Sequence, residues 1–118
     1  MPKTNDTPLE EDEQATFVQW LEAKKIKFTA IPNSTWTHSW SQKVKNKKTG
    51  LRPGFPDMVC ALPAKGLLFI EMKRRKGGFV SPEQQQWLDA LQALDGVEAR
   101  ACYGCDNAIA FVEEIMNA

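Results

Sequence analysis

The sequence predicts an α/β fold with its elements in the order helix, three strands, helix, strand, helix. Three observations carry this. Apolar residues recur at helical spacing over residues 10–25 and 81–94. Two apolar, β-prone runs at 57–62 and 66–72 are joined by the turn chemistry of "PAKG". A third strand-like run, "VEARACY", follows the glycine that stops the second helix.

Each element has a local reason. Residues 1–9 read as a loose, flexible leader containing two prolines, and the remainder, 10–118, reads as one domain. In the first helix Phe17, Val18 and Leu21, with Trp20 beside them, form an apolar stripe. "KFTAI" at 27–31 alternates and ends at Pro32, the signature of a short strand. Residues 33–54 contain almost no aliphatic side chain and read as a long loop, a feature that in a compact domain is often functional. "RRKGG" at 74–78 is a basic turn. Ser81, Pro82 and Gln84 supply an N-cap, a first-turn proline and a capping box. Gly96 ends that helix, and "NAIAFVEEIM" at 107–116 closes the chain.

Lys and Arg together balance Asp and Glu, 15 against 15, but the charges are segregated. Glu10, Glu11, Asp12 and Glu13 form an acidic cluster. Lys43, Lys45, Lys47, Lys48 and Arg52 lie in a stretch without an acid, and Lys73, Arg74, Arg75 and Lys76 are consecutive. A neutral total therefore hides basic segments, which are either solvated loops or a surface for a polyanion. No apolar run reaches the ~18 residues of a membrane span, and no signal-peptide pattern opens the sequence. The three cysteines, Cys60, Cys102 and Cys105, are an odd count that fits a reducing compartment. Cys102-x-x-Cys105 has half of a zinc-site spacing with no second pair, and His38 is distant in sequence, so incidental thiols are the better reading.

The candidate site lies in the two central strands. If Leu62 pairs with Gly66, paired residue numbers sum to 128 and Asp57 falls opposite Glu71. Facing Cβ atoms are then about 4.5–5.5 Å apart. Lys73, two residues beyond Glu71, leaves the same face. A one-residue slip would separate the acids. Two carboxylates so close repel, and a hard divalent cation such as magnesium or manganese offsets the repulsion. An ordinary Asp–Lys or Glu–Lys pair at a strand end accounts for the same residues. Gln84 lies on the inward face of its helix, where it caps the backbone, reaches the site, or does both. Glu10 continues the buried stripe of the first helix toward the same region, unless it is solvated at a frayed end.

These residues resemble a known family. "GFPDM", "FIEMK" and "SPEQ…W…L", preceded by "EEDEQATFVQWL" and "AIPNS", are similar to the PD-(D/E)XK nuclease superfamily, and more narrowly to stand-alone VRR-NUC domains of phages and bacteria. The resemblance spans roughly residues 10–96. It implies a mixed central sheet flanked by helices, αβββαβ with a final helix, and a Mg²⁺- or Mn²⁺-dependent deoxyribonuclease acting on branched DNA such as Holliday junctions. It also implies a homodimer in the cytoplasm of a bacterial or phage-infected cell, with no organic cofactor and no membrane partner. Carried over by position, Asp57, Glu71, Lys73 and Gln84 are catalytic. The metal ligands are Glu10, Asp57, Glu71 and the backbone carbonyl of Met72, with Glu11 and Glu13 as rivals of Glu10. Lys43, Lys45, Lys47, Lys48, Arg52, Arg74, Arg75 and Lys76 would contact phosphates, as would Asn33 and Ser34. Trp36 and Trp40 would stack on bases or pack at an interface. Cys102-x-x-Cys105 lies outside the family pattern. A sequence-specific or nicking endonuclease of the same superfamily, and a non-catalytic DNA-binding module, are the alternatives.

Overall fold

The structure is a computed structural model that describes residues 7–32 and 37–118. The acids of the first turn, Glu10, Glu11, Asp12 and Glu13, favour a helix start electrostatically, and α1 runs Glu10–Ala23. β1 is Lys27–Ala30, β2 Met58–Leu62 and β3 Gly66–Lys73. α3, Pro82–Gln92, carries the expected capping box. Ser81 Oγ accepts from the Gln84 backbone N–H at 3.1 Å, and Gln84 Oε1 accepts from the Ser81 N–H at 2.9 Å. β4, Val97–Tyr103, and α4, Cys105–Met116, complete the chain.

One expectation fails here. The segment read as a loop throughout contains a helix, α2, at Trp40–Lys48. Ser39 caps it by accepting from the Gln42 N–H, and Gln42 Nε2 donates to Asn46 Oδ1 at 2.6 Å one turn on. No α2 residue is buried. A helix with no packed face leaves no apolar periodicity in its sequence, which is why its pattern was that of a loop.

The sheet order is β1-β2-β3-β4, antiparallel except for the parallel β3–β4 pair that α3 crosses over to connect. Met58 pairs with Ile70 and Leu62 with Gly66, the register that sums to 128. The period of two then divides the side chains. Met58, Cys60, Leu68, Ile70, Met72 and Cys102 face α1 and α4, and pack with Phe17, Leu21, Phe111 and Val112 in the main core. Phe69, Ala99 and Ala101 face α3 and pack with Leu88, Leu91 and Trp87 in a smaller one. The three cysteines are free thiols buried in the main core, and burial pushes Cys60 up to about 11 and Cys102 up to about 12. No helix among the described residues is long and apolar enough to cross a membrane.

The approach to β2 is fixed by "GFPD". Gly54 sits at φ +95° with its Cα pressed on the first turn of α3, where an added Cβ would lie 2.7 Å from the Glu83 carbonyl carbon. The Phe55 ring packs edge-on against Trp87 at 4.9 Å and Phe69 at 5.6 Å. Gly54→Ala should therefore lower unfolding stability by about 2 kcal/mol or more in urea titration, since both the backbone angle and the contact resist a side chain.

Candidate active site

The charged residues singled out in the sequence meet at the carboxyl end of β3, between the first turns of α1 and α3. Glu71 and Lys73 are 2% and 9% exposed despite their charge. One carboxylate oxygen from each of Glu10, Asp57 and Glu71 lies within 4.8 Å of the other two. Among the described residues this is the one such cluster of potential metal ligands. Lys73 Nζ is 3.8 Å from Glu71 Oε2. Gln84 does two things at once: its oxygen completes the capping box while its Nε2 donates to Glu71 Oε2 at 3.3 Å.

Each position has a local cause. Asp57 lies one residue before β2, where the register carries it opposite Glu71. Its Oδ2 accepts from the Met72 N–H at 2.7 Å, and its backbone carbonyl accepts from Ile31, fastening it to the end of β1. Continuing the register sets Pro56 opposite Met72. Proline has no N–H, so the Met72 carbonyl, on the same strand edge as its N–H, receives no ladder bond from that residue. Glu10 reaches the trio because it lies on the inward stripe of α1, two turns before Phe17.

The electrostatics follow from crowding. Burial, then the hydrogen bond and repulsion from Asp57, push the Glu71 carboxyl up to about 9, with Lys73 opposing and Glu10 adding to the rise. Burial and Asp57 likewise raise Glu10, and Lys73 opposes. Three hard carboxyl oxygens facing a single ammonium form a donor set that fits a magnesium- or manganese-type cation.

Of the rival acids in α1, Glu13 has another task. It is 4% exposed and takes two hydrogen bonds from Arg75, Nε to Oε2 at 2.7 Å and Nη2 to Oε1 at 3.0 Å, and one from the Cys105 N–H at 3.1 Å. Arg75, expected among the phosphate contacts, is thus paired with Glu13, with Asp106 at 3.4 Å as a further partner. Arg74 donates to the Thr7 and Pro8 carbonyls, holding the last residues of the leading segment, and its charge is not neutralised by those acceptors. Lys43, Lys45, Lys47 and Lys48 are on α2, and Arg52 caps that helix through the Lys47 carbonyl at 3.2 Å. Lys76 is exposed on the turn after β3. Trp40 is 77% exposed at the start of α2. Asn33, Ser34 and Trp36 lie outside the described residues.

Sequence reasoning missed Phe79. It lines an open cleft of about 390 Å³ with Glu10, Lys73, Arg74, Gly77, Gly78, Ser81 and Gln84. It belongs to no periodic stripe, and its position after Gly77-Gly78 was the available signal.

The model of the VRR-NUC domain family matches residues 2–106. A solved structure of a VRR_NUC domain protein superposes with a TM-score of 0.77 at 22% identity, covering 96% of this chain and 92% of its own. A search of curated protein sequences gave no significant match.

The site makes opposite demands on pH. Glu71 has its folded-state pKa raised, so its contribution to stability is full below 4.5 and is lost as pH rises toward about 9; Glu10 acts in the same direction. Glu13 is lowered by its hydrogen bonds from Arg75, so its contribution is full above 4.5 and is lost as pH falls below that. In EDTA, the Tm of Glu71→Gln should therefore decline less than wild type from pH 5 to 9, and that of Glu13→Gln should vary less below pH 4.5. Melts followed by circular dichroism check both; parallel pH profiles for wild type and variants would refute the assignment.

Its family match spans nearly the whole length and its fold is that of a VRR_NUC domain: the chain belongs to the VRR-NUC domain family and carries a PD-(D/E)XK-like nuclease domain.

Proposed function

We propose that this protein is a divalent-metal-dependent, structure-selective DNA endonuclease that hydrolyses phosphodiesters in branched DNA such as Holliday junctions. The observation that carries the reading is the convergence of Glu10, Asp57 and Glu71 at 4.8 Å or less, with Lys73 beside them. Glu10, Asp57, Glu71 and the Met72 carbonyl would hold Mg²⁺ or Mn²⁺. Such an ion, when bound, supplies an acidified water and charge neutralisation on phosphate. Gln84 fixes the Glu71 carboxylate through its amide while its own oxygen is pinned to the α3 cap. Lys73 orients the attacking water and offsets negative charge accumulating on the phosphate. Lys43, Lys45, Lys47, Lys48, Arg52, Arg74 and Lys76, with Asn33 and Ser34, contact the sugar–phosphate backbone. Such contacts position DNA without reading sequence, which favours structure over sequence as the selected feature. A homodimer would present two sites to the two strands of a two-fold junction. The cell compartment is the bacterial or phage-infected cytoplasm.

The test is cleavage of a labelled four-way junction beside the matched linear duplex, in Mg²⁺, Mn²⁺ or EDTA. Metal-dependent junction cutting is expected from wild type and none from Asp57→Ala or Glu71→Ala, which should still bind DNA. Cutting confined to one linear sequence would support a sequence-specific or nicking enzyme. Binding without cutting in any metal would support a non-catalytic module. Neutralising Lys45, Lys47 and Lys48 together should reduce the slope of log K against log salt by up to about 2–3, measured by fluorescence anisotropy; an unchanged slope would remove α2 from the DNA interface.

A further inference from the structure

We propose that Phe79 is a nucleobase-stacking residue, forming a subsite beside the carboxylate cluster for the base of a nucleotide adjacent to the cut phosphate. The inference rests on the nuclease reading and extends it from the phosphate to the base. Phe79 is 75% exposed, although the smaller core lies one residue away, where Val80 packs. Its ring belongs to the same cleft wall as Glu10, Lys73 and Gln84. A lone exposed aromatic on a surface means little. Here two further features give it direction.

The first is rigidity. Gly78 is pressed so closely on the preceding turn that an added Cβ would lie 2.9 Å from the Arg74 carbonyl oxygen and 3.1 Å from the Lys73 Cβ. On the other side Val80 is anchored in the core and Ser81 caps α3. The backbone of Phe79 is held at both ends while its side chain projects, so little freedom remains to be lost on binding. The second is charge. The same cleft contains Lys73 and Arg74, and Lys76 is in the adjoining turn, so a phosphodiester is drawn to where the ring stands. A polyanion with flat apolar groups between its charges complements an aromatic flanked by bases, as in single-strand binding grooves. Stacking requires an open base face. A continuous duplex covers both faces of its internal bases, whereas a branch point or frayed end uncovers one. Phe79 thereby favours branched over linear DNA.

The experiment uses the full chain with 2-aminopurine scanned through positions flanking the branch of a four-way junction. In the non-cleaving Asp57→Ala background, one position should be quenched on binding. The quench should vanish with Phe79→Ala and persist with Phe79→Trp. In the active protein, Phe79→Ala should lower junction kcat/KM about 10-fold, the scale of one base–aromatic stack, with an unchanged melting temperature. An abasic site at the quenched position should reduce wild-type cleavage equally and add nothing to Phe79→Ala. Quenching that survives Phe79→Ala, or losses that multiply, would overturn the proposal. If wild type cuts no DNA the nuclease reading fails, while the quench still decides whether Phe79 holds a base.

Discussion

The constraint on which the rest of the structure depends is the mutual repulsion of three carboxyls held at one end of the sheet. Lys73 offsets only part of that repulsion, so independent devices on separate elements hold the acids together. The β2–β3 register sets Asp57 opposite Glu71, and the Met72 N–H then fixes the Asp57 carboxylate. The α3 capping box presents Gln84 to Glu71. Burial of Phe17 and Leu21 fixes the rotation of α1, and with it Glu10. Two apolar cores on opposite faces of the sheet offset the unfavourable charge cluster. A carboxyl pushed up to about 9 is the electrostatic signature of that arrangement.

The run Lys73-Arg74-Arg75 shows how a strand end divides adjacent bases among different tasks. Lys73, the last residue of β3, shares its face with Glu71. Arg74 turns to the carbonyls of Thr7 and Pro8, at the entrance to α1. Arg75 clasps Glu13, which also accepts from the first N–H of α4. The turn after β3 is thus tied to both helices of the main face. Glu13 lies one helical turn after Glu10, so the ion pair that secures it also steadies the acid that reaches the site. An exposed ion pair contributes little to stability, but this carboxylate is buried and fully hydrogen-bonded, so the pair fixes position.

Much of this was legible in the sequence because it depended on short-range rules. The sequence permitted a register with Leu62 opposite Gly66, three residues between them along the turn, and that register, which the β2–β3 pair adopts, places Asp57 opposite Glu71. The 3.6-residue period carried Glu10 from Phe17 and Leu21 to the site. Ser81 and Gln84 announced a capping box whose geometry leaves the amide nitrogen free to turn inward. The unreadable parts had no local signal. Helix α2 buries nothing, so no hydrophobic period marked it. Arg75 read as one base among four because its partner is 62 residues away. Phe79 is a single aromatic outside any stripe.

A formal net charge of zero describes this surface poorly, because the two signs are compensated to different degrees. Glu13 is neutralised by Arg75, and Glu71 is answered by Lys73 and by its raised affinity for a proton. Helix α2 has Lys43, Lys45, Lys47 and Lys48 and no acid, and none of them is buried. Three of these lysines fall in its last turn, where the helix dipole stabilises them and neutralises none of their reach into solvent. Helix α2 is therefore a locally basic element of the surface, felt over a Debye length of about 8 Å at physiological salt. Acids are exposed on other elements, Glu83 and Asp89 on α3 and Glu113 and Glu114 on α4 among them, so the segregation of charge is local. A polyanion that approaches along α2 meets lysines with no acid among them, whereas the clustered carboxyls of Glu10, Asp57 and Glu71 suit a cation, so the two attractions coexist in a chain whose charges sum to nothing.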